Sequence, residues 1–239
     1  MKQLIVNADD FGQSPGVNRG VRMACDQGIV TSASLMVRWP GAREAVEDAR
    51  RRPSISIGLH VDLGEWRCED GEWRALYQRA DLDDPAAVEA ELAAQLARFR
   101  ELTGCDPTHV DSHQHVHRRP RLEPVFRRCA DALGVPLRQC STAVSYCGAF
   151  YGQTAEGRPL PEAITVDALL TLLAALPPGT TELGCHPGDG TDLAFTMYRD
   201  ERRQEVDVLC DPRVRAALER GGIALRSFAA LGPCAEVVR

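Results

Sequence analysis

The sequence lacks a C-x-x-C pair, and its nine cysteines are odd in number and dispersed over 239 residues. This spacing argues against a disulfide framework and against a cysteine-type zinc site. We therefore expect reduced thiols packed in a core. The sequence also lacks an apolar run near the roughly 18 residues that a membrane span needs, and its first residues carry no signal-peptide pattern. These absences predict a cytoplasmic protein without a membrane span.

An excess of positive charge is absent as well. Lysine and arginine number 28 against 34 acidic residues, which gives a formal net charge of -6. A chain of this charge offers no basic surface for a phosphate backbone, so we expect no nucleic-acid partner. With 44% hydrophobic residues, 20 glycines and 15 prolines, the composition excludes collagen-like and disordered chains. Its length fits one domain spanning residues 1–239.

Short apolar runs alternate with helical patterns along the chain. The first run starts at Leu4, ends before Asp9, and is followed by a helical pattern that ends near Gly28. Further strands are predicted at 31–37, 55–62, 107–113, 136–140, 181–186 and 223–228, and further helices near 41–51, 85–103, 121–133, 165–176 and 199–220. Because several strands are almost continuously apolar, they are typical of parallel strands covered by helices. The pattern predicts a parallel barrel or a doubly wound sheet.

Two stretches, 64–84 and 141–163, do not fit this alternation. The first carries Trp66 and Trp73, and the second carries several aromatic residues and three glycines. We predict long surface loops in both places. Loops of this length in a compact domain are commonly lids or binding loops, although an insertion that only packs on the surface is the alternative.

All six histidines lie in or just after three of the predicted strands: His60, His109, His113, His115, His117 and His186. A strand would place His113 and His115 on one face, and a helix would do the same for His113 and His117. Imidazole pairs at these spacings are good ligands for transition metals. The alternative is that one or two of these rings are hydrogen-bonded core residues.

Two adjacent carboxylates, Asp9 and Asp10, end the first strand. Neighbouring residues of an extended segment point in opposite directions, so one can hold a metal while the other does something else. In a parallel sheet the carboxyl ends of the strands meet at one face, where α/β enzymes place their chemistry. That face would gather Asp9, Asp10, His60, Asp111, His113 and His186.

These carboxylates and histidines are typical of a metal-dependent hydrolase site. A cation held by one carboxylate and two imidazoles, with open positions, lowers the pKa of bound water and polarises a carbonyl. A neighbouring carboxylate could take a proton, and a histidine from another strand could return it to the leaving group.

Nearly the whole chain matches a known pattern, in five stretches: LIVNADDFG (4–12), GIVTS (28–32), GLH (58–60), PTHVDSHQHVH (107–117) and CHP (185–187). In this order and combination they resemble the YdjC-like carbohydrate deacetylases, as does AFYG at 149–152. The resemblance implies an α/β fold, a distorted TIM-like barrel of about seven parallel strands related to the polysaccharide deacetylases. It also implies an enzyme that removes N-acetyl groups from amino sugars with one divalent metal ion, zinc or magnesium.

Carried over by motif, the resemblance makes Asp10, His60 and His113 the metal ligands. Asp9 falls where the family has its proposed general base, and His186 where it has its general acid. Four further residues are expected to support the ligands or contact substrate: Asp111, which would orient a ligating imidazole, His115, His117 and Tyr151. For His115 and His117, direct ligation of the metal is the alternative. The two tryptophans of 64–84 would either stack on a sugar ring or anchor their loop. A homodimer is left open.

Two other functions compete with this interpretation. A metal-dependent phosphoesterase can use a similar barrel, but it would be expected to offer more ligands and basic residues for the phosphate. A carbohydrate-binding protein could keep the barrel and the ligands without turnover, but a second carboxylate beside the ligand and a proton donor at His186 would then have no evident use.

Overall fold

The computed structural model describes residues 1–193 and 196–231. The described residues form nine strands: β1 (Lys2–Phe11), β2 (Ser32–Leu35), β3 (Ser56–Val61), β4 (Gly64–Glu69), β5 (Glu72–Gln78), β6 (Val110–Ser112), β7 (Val144–Cys147), β8 (Gly179–Cys185) and β9 (Ile223–Arg226). They also form seven α-helices: α1 (Pro15–Asp26), α2 (Ala42–Arg50), α3 (Pro85–Thr103), α4 (Glu123–Leu133), α5 (Val166–Ala175), α6 (Asp200–Leu209) and α7 (Pro212–Arg220).

Seven of the strands form one parallel sheet in the order β6-β3-β2-β1-β8-β7, with β9 also paired to β1. The long central strand β1 pairs with β8 along one edge. Along its other edge it pairs first with β9 and then with β2. The sheet curls into a half-barrel flanked by helices, which confirms the predicted α/β class with about seven parallel strands.

The strands have an apolar outer face and a polar inner face. On β1, Leu4, Val6 and Ala8 belong to the hydrophobic core that includes the buried side of α1. The alternate residue Asn7 instead donates to Asp9 and to Ser34 of β2, at 2.8 and 2.9 Å. Because side chains of a strand alternate between faces, the outer face holds the helices while the inner face carries polar groups up to the carboxyl ends of the strands.

Four predicted segments differ from the structure. The stretch 136–140 forms one bridge beside β6, between Leu137 and Val110, and not a strand. Gln139 follows it with a left-handed φ of 62°, which ends the extended backbone. The edge strand on the other side is β7, which lies inside the predicted loop 141–163.

The other loop, 64–84, contains the antiparallel hairpin of β4 and β5 rather than irregular chain. The helix predicted over 199–220 is two helices, α6 and α7. The break follows from Pro212, which disfavours a helical conformation in the residue before it. That residue, Asp211, caps α7 by accepting a hydrogen bond from the Arg213 amide.

Candidate active site

A cavity of about 330 Å³ opens at the carboxyl ends of the parallel strands. Its lining includes the three predicted metal ligands and the predicted acid–base pair: Asp9, Asp10, His60, His113 and His186. They come from β1, from β3, from the turn after β6 and from the residue after β8. The topology therefore brings together the side chains that the sequence analysis placed at one face.

The end of β1 is irregular at the position of the two carboxylates. Its pairing with β2 shifts register between Ala8 and Phe11, and Asp10 adopts a left-handed φ of 63°. In a regular strand Asp9 and Asp10 would lie on opposite faces, but here both line the cavity. Because of this irregularity the expected placement on opposite faces does not hold, and each carboxylate has its own partners in the cavity.

Three donor atoms of Asp10, His60 and His113 converge within 4.8 Å of one another. Asp10 Oδ1 lies 2.9 Å from His113 Nδ1 and 3.3 Å from His60 Nε2. This buried oxygen accepts no hydrogen bond of good geometry from any described residue. One carboxylate oxygen and two imidazole nitrogens that face a common point without hydrogen bonding fit a divalent cation.

A second group, Asp9, His60 and Asp111, shares His60 with the first. It fits a cation less well, because Asp9 and Asp111 both accept hydrogen bonds from the buried guanidinium of Arg138. Asp111 also lies 3.0 Å from His60 Nδ1, the ring nitrogen that does not face Asp10. This is the contact that a carboxylate makes when it orients a ligating imidazole.

The charges around Asp10 favour its ionised form. Burial alone would raise the pKa of Asp10, but His113 and Arg202 outweigh burial and hold that pKa well below its usual range. Arg202, on α6, donates to Asp10 Oδ2 at 2.6 Å and leaves Oδ1 for the other partners. Burial would lower the pKa of His113, but the Glu65 and Asp10 carboxylates raise it well above its usual value.

Asp9 and His186 form the second functional pair. Burial opposes ionisation of Asp9, but the charges of Arg138, His60 and His186 lower its pKa below the usual range. His186 Nε2 lies 3.8 Å from Asp9 Oδ2. Burial lowers the pKa of His186 to about 4, and its Nδ1 has no hydrogen-bond partner among the described residues. The ionised carboxylate and the neutral imidazole thus stand side by side.

Aromatic rings surround His186. Tyr151 lies edge-on to it at 5.3 Å between ring centroids, and Tyr151 also stacks on Tyr198 at 4.7 Å. The Tyr198 hydroxyl donates to Glu205 of α6, which also accepts from the backbone N–H of His186. Tyr151 lines the cavity beside His186, where the sequence analysis expected it to contact ligands or substrate.

The remaining histidines do not join the converging group. His115 lines the cavity, and its Nδ1 bonds the Gln139 amide at 3.0 Å. His117 Nδ1 bonds Ser112 Oγ at 2.9 Å, and its other nitrogen bonds the Arg138 carbonyl oxygen. His115 and His117 lie outside the converging group of described residues, because Gln114 and His115 take left-handed φ values that turn the chain after His113.

His109 is a core residue. It is fully buried, bonds Ser34 Oγ at 3.0 Å through Nε2, and packs on Phe228 at 4.1 Å. A Cβ on Gly58 would lie 2.3 Å from this ring, so glycine is required there.

The hairpin tryptophans have different surroundings. Trp66 is partly buried against the core, and the guanidinium of Arg119 lies 5.7 Å from its ring centroid. Trp73 is 52% exposed and lines the cavity. The structure therefore separates the two expected roles, since Trp66 anchors the hairpin and Trp73 faces the cavity.

Sequence reasoning missed four charged residues of the site, namely Glu65, Arg138, Arg202 and Glu205. The sequence does contain an indication of Arg138, because it is a single charged residue directly after the apolar run that begins at Val135. Glu182 of β8, which Arg138 contacts, is likewise a lone charge in a strand. Arg202 and Glu205 lie on a helix rich in charge and give no such signal.

Comparison with known proteins agrees with this geometry. The YdjC-like protein family profile matches residues 3–220. A carbohydrate deacetylase of Geobacillus stearothermophilus is 33% identical, covering 95% of this chain and 97% of its own. A chitooligosaccharide deacetylase of Serratia marcescens is 36% identical, and the match covers 95% of this chain and 98% of that protein. The chain belongs to the YdjC-like family.

Solved structures show the same fold. One, from Enterococcus faecalis, is described as a candidate cellobiose-phosphate cleavage protein. It has a TM-score of 0.79 at 27% identity and covers 96% of this chain and 98% of its own. A family 4 carbohydrate esterase from Streptomyces lividans, solved with acetate, has a TM-score of 0.58 at 12% identity, covering 97% and 95%. The half-barrel fold is therefore shared with this family 4 carbohydrate esterase.

Proposed function

We propose that this chain is a metal-dependent deacetylase that hydrolyses the N-acetyl group of an amino sugar or a short N-acetylglucosamine-containing saccharide, and releases acetate. The names of the curated relatives support the reaction class. The observation that carries the proposal is the separation of two functions in one cavity. Asp10 faces His60 and His113, whereas its neighbour Asp9 faces His186.

Asp10, His60 and His113 would hold the cation through one carboxylate oxygen and two ring nitrogens. When bound there, a divalent cation polarises the acetyl carbonyl and acidifies water. Zinc suits the two imidazoles, while magnesium suits the carboxylate. Asp111 keeps the His60 ring in position through Nδ1. Arg202 holds the Asp10 carboxylate from its other oxygen.

Asp9 acts as the general base for the attacking water. Arg138 keeps Asp9 ionised and fixes its Oδ1 at 2.7 Å, which leaves Oδ2 toward His186. The water oxygen forms a bond to the acetyl carbon, and its proton passes to Asp9. The carbon–nitrogen bond then breaks, acetate leaves, and the amine nitrogen takes a proton from His186. Since His186 is neutral at neutral pH, the proton it gives must reach it during the reaction, and Asp9 lies 3.8 Å away.

The substrate part of the proposal rests on the cavity wall. Tyr151 lies beside His186, and the exposed ring of Trp73 lies farther out on the hairpin wall of the same cavity. Aromatic faces of this kind pack against the apolar face of a sugar ring. We assign the acetylated sugar to the His186 side and an adjoining sugar of the saccharide to Trp73.

A phosphoesterase is less well supported. Arg202 is the one arginine among the described residues that line the cavity, and its guanidinium is bonded to Asp10. The two candidate metal groups share His60, so they do not form two independent sites. A non-catalytic relative would release no acetate, which the experiment below detects.

Acetate release should be measured from N-acetylglucosamine, N,N′-diacetylchitobiose and longer N-acetylated chito-oligosaccharides, and phosphate release from a sugar phosphate, with wild type and Asp9→Asn. Removal of a positioned general base costs about 100-fold or more in rate, so Asp9→Asn should lose acetate release to this extent while retaining metal. Near wild-type activity in Asp9→Asn would place the base elsewhere. Phosphate release without acetate release would favour the phosphoesterase.

A further inference from the structure

The carboxylate of Glu65 contacts His113 from the side opposite Asp10. Glu65 is 5% exposed and lies at the start of the hairpin strand β4. Its Oε2 is 2.7 Å from His113 Nε2, whereas His113 Nδ1 is 2.9 Å from Asp10 Oδ1. The two nitrogens of this ring therefore have separate carboxylate partners, one on the hairpin and one at the candidate metal site.

The position of Glu65 is fixed by the residue next to His113. The side-chain oxygen of Gln114 accepts the Trp66 backbone N–H at 3.0 Å. Its amide nitrogen donates to the Trp66 carbonyl oxygen at 2.9 Å and to Glu65 Oε1 at 3.3 Å. Glu65 thus receives donors on both oxygens, and the hairpin is tied to the turn that carries His113.

This arrangement selects one form of the imidazole. A neutral histidine carries its proton on one nitrogen, and the nitrogen without a proton can bind a metal. A carboxylate accepts hydrogen bonds only, so Glu65 requires the proton on Nε2. In the neutral form that a bound cation requires, the lone pair of Nδ1 points toward Asp10 Oδ1, where His60 Nε2 also converges at 3.3 Å.

We infer that Glu65 is a positioning residue that holds His113 in the Nε2–H form, so that His113 presents Nδ1 to the cation. The inference rests on the proposed metal site and deepens it. Glu65 is not one of the described residues that converge there, so it acts through His113. The β4–β5 hairpin then has two roles at the cavity. Glu65, at the start of β4, orients the His113 ring, and Trp73, on β5, lines the cavity wall.

Zinc affinity of the metal-stripped protein, measured by competition with a chelator, tests the inference without catalysis. Loss of a carboxylate behind a ligating histidine weakens metal binding about 10- to 100-fold, which is the loss expected for Glu65→Ala. Glu65→Gln should lose less, because its carboxamide oxygen still accepts from Nε2–H. Glu72→Ala is the matched control, since Glu72 is an exposed carboxylate on the same hairpin and should bind zinc like wild type.

Nitrogen NMR of the zinc-loaded protein supplies a readout that general loosening of the hairpin would not produce. Wild type should show the His113 proton on Nε2 and none on Nδ1. A proton on Nδ1, zinc affinity of Glu65→Ala equal to that of Glu72→Ala, or no zinc binding by wild type would overturn the inference. If wild type binds zinc but deacetylates no sugar, the proposed function fails, and these two measurements still decide the role of Glu65.

Discussion

At the scale of single residues, His186 has the most specific chemical assignment. Its Nε2 lies beside Asp9, and burial lowers its pKa to about 4. If it protonates the departing amine, its contribution is made mainly in the transition state. His186→Ala should therefore reduce turnover of an N-acetyl sugar by about 100-fold or more, with little change in substrate binding.

An activated aryl ester of acetate is the diagnostic substrate, because its leaving group needs little protonation. It should recover much of the rate that His186→Ala loses on the amide. His115→Ala removes another imidazole from the same wall and should show no such difference between the two substrates. Equal losses on amide and ester in His186→Ala would refute the acid role and point instead to stabilisation of the oxyanion.

Glu205 gives a pH dependence with a definite sign. Burial raises its pKa from 4.5 to about 8, so between these values the folded protein binds more protons than the unfolded chain. Stability from this group is present below about pH 4.5 and is lost as the pH rises toward 8. Glu205→Gln cannot ionise and should escape this loss.

The check is the melting temperature of wild type and Glu205→Gln from pH 5 to pH 8. The melting temperature of Glu205→Gln minus that of wild type should increase by about 2 °C or more as the pH rises from 5 to 8. A difference between the two proteins that stays constant with pH would show that Glu205 does not titrate as its burial implies.

At the scale of elements, the β4–β5 hairpin is the part of the site most open to a substrate test. Trp73 and Leu76 are both exposed on β5, but of the two only Trp73 lines the cavity. Trp73→Ala should lower kcat/KM for a chitobiose substrate by about 10-fold, which corresponds to about 1.4 kcal/mol, and should affect N-acetylglucosamine less. Leu76→Ala is the control. Equal effects of the two substitutions on the disaccharide would remove Trp73 from the binding surface.

The elements also show what sequence can and cannot predict here. Alternating apolar runs predict the parallel sheet well, because the outer face of each strand must meet a helix. They do not predict β7, because it is a short edge strand within a polar and aromatic segment, nor the break between α6 and α7, because the charged pattern continues across Pro212.

The same limit applies to the site. Asp9, Asp10, His60, His113 and His186 lie in or just after predicted strands, and parallel topology alone brings their backbones together. Their supporting charges come from elements whose position depends on tertiary packing. Arg202 lies on α6 and reaches Asp10 across 192 residues of sequence, and Glu65 lies 48 residues from His113. No local sequence pattern predicts a contact between residues that are so far apart in the chain.

At the scale of the whole molecule, the half-barrel combines an apolar outer face with a polar interior that ends in the cavity. Arg138 is fully buried and contacts Asp9, Asp111 and Glu182. The charge of Arg138 helps to lower the pKa of the buried Asp9 carboxylate, and the cavity opens at the carboxyl ends of the strands. No helix among residues 1–193 and 196–231 is long and apolar enough to cross a bilayer. The predicted cytoplasmic location and a homodimer stay predictions.

Acetate release from N,N′-diacetylchitobiose before and after removal of divalent metal tests the central claim most directly. The metal-stripped protein should release no acetate. Readdition of zinc or magnesium should restore release, with one free amine formed for each acetate. Asp10→Ala should stay inactive after readdition, because loss of a ligand prevents metal binding. Acetate release that persists unchanged in the stripped protein, or that is absent from every N-acetyl sugar in the presence of metal, would contradict the account.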